Sequence, residues 1–250
     1  MSDSKFIDTP EGRRIAYHKT DGAGPCVVFL GGLKSDMMGT KAVYLEDWAR
    51  AKGRAFLRFD YSGHGESSGS FTEGCIGDWH EDTLAAVGAL TEGPLIVVGS
   101  SMGGWQALLL ARHLPERIAG LVGIAAAPDF TEDGYWANFT DAQKQMLEEV
   151  GQVELPSDYV EPYVITRRMI EDGRKRLVLR APLDLPFPVR LLQGTADTAV
   201  STNTAVRLLE HAQSPDMQLT LVKDADHRFS DARCLAMVVD AINEVFDAAG

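Results

Sequence analysis

Leu95-Ile96-Val97-Val98-Gly99-Ser100-Ser101-Met102-Gly103-Gly104-Trp105-Gln106-Ala107-Leu108-Leu109-Leu110-Ala111-Arg112 divides into three parts. The first four residues are apolar and mostly β-branched, with Gly93-Pro94 before them and Gly99 after. Such a run predicts a short buried strand. From Trp105 to Arg112 the chain is rich in Ala and Leu, which predicts a helix, and Pro115 ends it by disfavouring helical geometry at Leu114. Between the two lies a Gly-x-Ser-x-Gly. Placed between a strand and a helix, this pattern is the nucleophile elbow, a sharp strained turn that lifts one serine hydroxyl above the sheet. The glycines are required because a β-carbon there would strike the neighbouring strand or helix. Ser101 fits the frame; Ser100 does not, having Val98 and Met102 at the glycine positions.

Outward from this turn, strands and helices alternate. Phe6-Ile7-Asp8 and Arg13–His18 predict an opening antiparallel hairpin. Cys26–Leu30 is continuously apolar, as a strand buried on both faces must be. A helix is expected over Thr40–Lys52, closed by Gly53, then a strand over Ala55–Asp60 and a helix over Asp78–Leu90. After the elbow come a strand at Ile118–Ala125, a strand at Val189–Gln193, a helix at Thr202–His211 and a strand at Leu219–Val222. The final helix is expected over Asp231–Phe246, capped by Ser230. Alternating strands and dozen-residue helices predict an α/β fold with a mostly parallel sheet. Residues 129–187 break the pattern with interleaved aromatic, acidic and basic residues. They read as a small cap inserted into a core made of 1–128 and 188–250, with helices at Asp141–Val150 and Thr166–Arg176.

Composition narrows the functional classes. With 250 residues, 45% of them hydrophobic, the chain can bury a sizeable core. A net charge of −12 argues against nucleic-acid partners and against anionic membranes. No apolar stretch is long enough to span a bilayer, and the start Met1–Phe6 resembles neither a signal nor a transit peptide. Three widely spaced cysteines suit a reducing compartment, so a cytoplasmic location is expected. No Cys-x-x-Cys or paired-histidine spacing indicates a metal, and no cofactor motif stands out. Asp60-Tyr61-Ser62-Gly63-His64-Gly65-Glu66-Ser67 lacks the spacing and the lysine of a phosphate loop, and reads as a structural turn.

Chemistry in such sheets gathers at the carboxyl ends of the strands. A serine hydroxyl needs a base, and His227 is the histidine that follows the last expected strand. The base needs an acid to hold its tautomer. Asp197, just after the Val189–Gln193 strand, is favoured, with Asp129 as its rival; Asp224 and Asp226 are too local to reach the far ring edge. An oxyanion requires two donors, for which the backbone N–H groups of Met102 and Leu33 are the candidates. Gly31 and Gly32 let the Leu33 loop approach. Phe130, Tyr135, Trp136 and Phe139 are candidates for an acyl pocket, and Gly32, Phe130 and Trp136 for substrate contact.

These residues, in the order elbow serine, acid, late histidine, resemble the α/β-hydrolase fold family, and with it an eight-stranded, mostly parallel sheet flanked by helices. Gly31–Ala42, Arg58–Gly63, Val98–Trp105 and Ile165–Lys175 narrow the resemblance. They look like the mammalian mitochondrial acyl-protein thioesterases (depalmitoylases), which also cleave the acyl glucuronide of mycophenolic acid, and their bacterial relatives. The resemblance runs from about Ile15 to Phe229 and implies a serine hydrolase acting on small-molecule or acyl-protein esters and thioesters. Because Met1–Phe6 shows no transit-peptide character, the mitochondrial leader of those members is expected to be absent, and their location is not carried over. A small-substrate aminopeptidase of the same fold, which would need an acidic anchor for an α-amine, remains a second reading, and a non-catalytic binding member a third. The oligomeric state stays open.

Overall fold

The apolar runs become the strands of one eight-stranded sheet in the computed structural model. The structure describes residues 3–156 and 162–249. Met1-Ser2, residues 157–161 and Gly250 lie outside the described residues. The chain opens with β1 (Lys5–Asp8), β2 (Arg14–Thr20), β3 (Ala23–Leu30), α1 (Thr40–Ala51), β4 (Arg54–Phe59) and α2 (Ile76–Leu90). β5 (Leu95–Ser100), α3 (Met102–His113) and β6 (Ile118–Ile124) follow. Next come a π-helix (Phe130–Trp136), α4 (Asp141–Glu149), β7 (Gln152–Leu155), β8 (Tyr163–Thr166) and α5 (Arg167–Arg174). The chain closes with β9 (Leu183–Asp184), β10 (Val189–Gly194), α6 (Thr202–His211), β11 (Ala212–Gln213), β12 (Met217–Val222) and α7 (Ala232–Ala249).

The sheet order is β1-β2-β4-β3-β5-β6-β10-β12. β2 is antiparallel to both of its neighbours, and every pairing from β4 to β12 is parallel. The chain runs outward from β3 to β4, then crosses back to β5 on the other side of β3. This reversal opens a crevice at the carboxyl ends of β3 and β5, where ligands bind in sheets of this kind.

Strand periodicity divides the core in two. Ile96 and Val98 of β5 face α1 and α7, among Leu45, Ala49, Val238 and Ile242. Leu95 and Val97 face the other way, among Ile76 and Trp79 of α2 and Trp105 and Leu108 of α3. All four β5 side chains have no exposed surface, and each such burial stabilises the fold by about 1.5–3 kcal/mol. Gly53 closes α1 in the left-handed region (φ 64°), where glycine carries no Cβ penalty.

Some boundaries differ from the expectation. α2 starts at Ile76, two residues before Asp78, and α7 runs on to Ala249. The cap of α7 is not Ser230. Asp231 Oδ1 accepts from the Cys234 N–H at 2.8 Å, whereas the Ser230 hydroxyl donates to the Arg228 carbonyl.

Between β6 and β10 the chain leaves the main sheet on a long excursion. The expected helices are present as α4 and α5; the π-helix and the antiparallel β7–β8 hairpin were not expected from the sequence. Leu147, Val153, Ile165, Met169 and Ile170 pack into the same apolar cluster as α2 and α3. Asp172 of α5 accepts from the Gly77 N–H at 2.7 Å, and Arg168 pairs with Asp78. These contacts bind the excursion to the start of α2.

Candidate active site

At the end of β5 the chain turns through Ser101 at φ 55° and ψ −119° into α3. A side chain at positive φ costs about 1–3 kcal/mol unless its surroundings over-determine it. Here the Ser101 N–H donates to the Ile124 carbonyl at 2.9 Å. Its own carbonyl accepts from Gly104 at 2.9 Å and Ala127 at 3.0 Å. Glycine is required on both sides. A Cβ on Gly99 would lie 2.3 Å from the Gly103 carbonyl oxygen, and one on Gly103 would lie 2.0 Å from that of Leu30. The turn therefore depends on α3 touching both β5 and β3.

Asp197 and His227 stand on adjacent loops stitched together by backbone bonds. Thr195 N–H donates to Val222, Ala196 N–H to Ala225, and Asp224 N–H to the Thr195 hydroxyl. A Cβ on Gly194 would sit 2.1 Å from the Ala225 oxygen, so these loops also meet without a side chain between them. His227 Nε2 lies 3.1 Å from Ser101 Oγ, and His227 Nδ1 lies 2.8 Å from Asp197 Oδ2. A carboxylate only accepts, so Nδ1 carries the proton and the Nε2 lone pair is left for the serine hydroxyl.

The Asp197 side chain is fully buried. Burial raises its pKa, but donation from His227, from the Val200 backbone and from Gln193 outweighs this and holds the carboxyl below the usual carboxylate range. Ala199 N–H and Val200 N–H both reach Oδ1 at 2.8 Å, and Gln193 Nε2 reaches Oδ2 at 2.9 Å. Asp129, Asp224 and Asp226, the other three candidate carboxylates, bond elsewhere. Asp129, fully buried, accepts from Val178 N–H (2.8 Å), Leu179 N–H (3.1 Å) and Arg180 (2.7 Å), closing the two ends of the excursion on each other. Asp226 accepts from Phe229 N–H, and Asp224 bonds through its backbone.

Met102 is the first residue of α3, so its N–H has no acceptor within the helix and sits at the positive end of the helix dipole. Gly32 approaches from the opposite side: a Cβ there would lie 3.3 Å from Ser101 Cβ. Leu33, Ser101, Met102 and His227 all line one cavity of about 300 Å³. The Gly31–Asp36 loop is anchored by Asp60, which accepts from Met37 N–H at 2.6 Å and Glu66 N–H at 2.9 Å. Burial pushes the Asp60 carboxyl up to about 6 against those two bonds. His64 lies away from this cavity. It is buried among Tyr61, Phe71 and Trp79, with ring centroids 5.2–5.7 Å apart.

The rest of the cavity wall comes from the excursion, with Phe130, Gly134, Tyr135, Asn138 and Tyr163, and from Ala127, Ala199 and Val200. Trp136 is not on this wall, contrary to expectation. Its ring lies against the cations of Arg174 (4.3 Å) and Lys144 (5.3 Å). Phe139 stands one layer back, stacked on Tyr135. Gly32 lies beneath Ser101, in the wall of a smaller cavity. No local signal in the sequence marks Tyr163 and Asn138 as lining residues. A second cavity of about 240 Å³ shares Phe130, Gly134, Asn138, Ala199 and Val200 with the first and carries Asp133, Thr204 and Arg207. Among the described residues, no group of three or more His, Cys, Asp or Glu could hold a metal ion.

A family profile described as alpha/beta hydrolase fold matches residues 38–159. Rat palmitoyl-protein thioesterase ABHD10, a mitochondrial protein, is 35% identical over 97% of this chain and 82% of its own length. Among solved structures, a putative hydrolase from Agrobacterium vitis S4 superposes with a TM-score of 0.94 at 39% identity, covering 97% of this chain and 98% of the other. Mouse alpha/beta hydrolase domain-containing protein 10 gives a TM-score of 0.92 at 33% identity, with both chains fully covered. With this sheet order, this elbow and these relatives, the chain belongs to the α/β-hydrolase family.

Proposed function

We propose that this chain is a serine hydrolase cleaving carboxylic esters or thioesters of acyl groups, with Ser101, His227 and Asp197 as its catalytic triad. The observation that carries this is the continuous chain of contacts from Ser101 Oγ to His227 at 3.1 Å and on to Asp197 at 2.8 Å. His227 takes the serine proton as Ser101 attacks the acyl carbonyl. The N–H groups of Met102 and Leu33 hold the oxyanion, each contributing about 2.7–4 kcal/mol to lowering the barrier. His227 then returns the proton to the departing alcohol or thiol, and in the second half it activates the water that releases the acid. Asp197, kept ionised by its donors, stabilises the imidazolium formed in between.

Thioesters are supported as substrates by the likeness to palmitoyl-protein thioesterases. Asp133, in the adjoining cavity, is paired with Arg180 and Arg207 and so is not free to anchor an α-amine, which disfavours the aminopeptidase reading. We assign residues 129–187 as a cap over the acyl pocket, with Phe130, Tyr135 and Tyr163 in contact with the acyl chain. A net charge of −12 favours a small-molecule or acyl-protein partner over nucleic acid or an anionic membrane. Among the described residues, no helix is long and apolar enough to cross a membrane. Three buried free cysteines suit a reducing compartment, and the cytoplasm is our assignment. The ABHD10 relatives are mitochondrial, so cell fractionation is the deciding measurement.

A fluorophosphonate probe should label the chain once, with the adduct on Ser101 by peptide mass spectrometry. Labelling elsewhere, or none, would refute the triad. The cavity, about 300 Å³, lies at the small end of the ~300–1,000 Å³ usual for ligand sites. Each methylene it buries adds about 0.8 kcal/mol. Along a series of acyl thioesters, kcat/KM should therefore climb from acetyl to about octanoyl and then level off, because longer chains outgrow the cavity. An unbroken rise to palmitoyl would contradict this pocket assignment.

A further inference from the structure

α1 starts directly after the loop that carries Leu33, and its first turn faces the loop that carries His227. Lys41, the second residue of α1, is half-buried, and its ammonium donates to the Arg228 carbonyl. That carbonyl belongs to the peptide unit joining Arg228 to Phe229, one residue beyond His227. The Ser230 hydroxyl donates to the same oxygen at 2.8 Å, and the N–H of this peptide donates to Asp226 Oδ1 at 3.1 Å. Phe229 has a left-handed backbone, φ 49°, and a fully buried side chain. The peptide is thus gripped on both sides while the next residue holds an unfavourable conformation. Lys41 also shares a small cavity of about 70 Å³ with Gly31, Gly32, Ser35, Ser100 and Ser230. It therefore stands behind the reacting serine, between the Leu33 loop and the His227 loop.

Resting on the triad reading above, we infer that Lys41 is a positioning residue for His227. Its charged donation to the Arg228 carbonyl fixes the backbone that aims the imidazole at Ser101, and losing that charge slackens the aim. A bond from an ammonium is roughly twice as strong as one from a neutral amine. Burial lowers the Lys41 pKa to about 8, with Asp226 opposing and Arg228 reinforcing the drop. Cys234 of α7 also faces it. That thiol, bonded to Asp231, is pushed up to about 11 by burial, and so stays neutral through this range.

The Ser–His–Asp relay works with a neutral imidazole and has no alkaline limb of its own. Lys41 supplies one. Stability moves the other way. Between pH 8 and 10.5 the unfolded chain binds more protons at Lys41 than the folded one, so this residue's contribution to stability rises with pH as its effect on turnover falls.

The test is steady-state kinetics of the full chain between pH 6 and 10 on a short acyl ester, with melting curves at each pH. For the wild type, kcat should drop about five-fold between pH 7.5 and 9.5 with KM unchanged. Lys41→Met should be about five- to ten-fold slower at pH 7, with no alkaline limb. Lys41→Arg, which keeps its charge throughout, should restore the rate and hold it to pH 10. A wild-type profile flat to pH 10 overturns the inference whether or not the variants fold. So does a Lys41→Met enzyme within two-fold of wild type at pH 7, or one retaining the limb. A wild type that turns over nothing and takes no fluorophosphonate adduct instead refutes the triad itself.

Discussion

Ser101→Ala should abolish hydrolysis of short p-nitrophenyl esters, lowering kcat by about 10⁵–10⁶-fold, while the melting temperature stays within about 2 °C. A loss of that size corresponds to about 7–8 kcal/mol of barrier. The substitution removes one oxygen whose described partner is His227 Nε2, at 3.1 Å. The imidazole remains on Asp197, and its free nitrogen turns to a cavity open to water, since the side chain is 31% exposed. Alanine inherits the same φ of 55°, so the backbone strain is unchanged. Under the proposed mechanism, the residual rate comes from the Met102 and Leu33 donors and from substrate binding. They polarise the carbonyl for attack by water but offer no nucleophile. Retention of more than about 1% of kcat would show that another group carries the reaction.

Gly103→Ala should cost the fold rather than the chemistry. The added Cβ would lie 2.0 Å from the Leu30 oxygen, 2.5 Å from the Leu30 carbonyl carbon and 2.6 Å from the Gly31 oxygen. All three are backbone atoms of β3 or its exit, so no side chain can rotate away. β3 and α3 must part by about 1 Å in a core packed as densely as an organic crystal. Such overpacking costs more than about 4 kcal/mol, against a total stability of about 5–15 kcal/mol. The expected result is little soluble protein, and a much lower urea midpoint for what is recovered. Gly88→Ala is the control. Gly88 sits in α2 with nothing within 4 Å of the point a Cβ would occupy, so the change should stabilise the helix by about 0.5–1 kcal/mol. A Gly103→Ala midpoint within about 0.3 M of wild type would mean that the elbow tolerates a side chain there.

Legibility in the sequence follows the range of the interaction. The strands β3 to β6 could be read because buried parallel strands are continuous apolar runs, and α3 because Pro115 ends it visibly. The excursion between β6 and β10 is less legible. The β7–β8 hairpin is two four-residue strands with a single fully covered side chain in β7, too little alternation to stand out. Within the π-helix, neighbouring side chains point in widely different directions. Composition does not distinguish Tyr135 from Trp136, and so does not choose the ring that faces the cavity. Ser230 and Asp231 are both good helix caps, and a one-residue difference in where α7 begins selects between them.

The strand–turn–helix at Ser101 follows from local chemistry. Apolar periodicity and an intolerance of β-carbons act over a few residues, and they confine the elbow to one register. The positions of Asp197 and His227 after their strands are equally local. Their spacing from Ser101 is not, because it depends on β5, β10 and β12 taking their places in one sheet and on loops stitched together some thirty residues apart in the chain. The same holds for Asp129 closing the excursion, for Tyr163 reaching the cavity and for Lys41 holding the Arg228 carbonyl. Each is a polar or aromatic side chain whose partner lies far along the polymer. Composition can name such a group, but only packing gives it a direction.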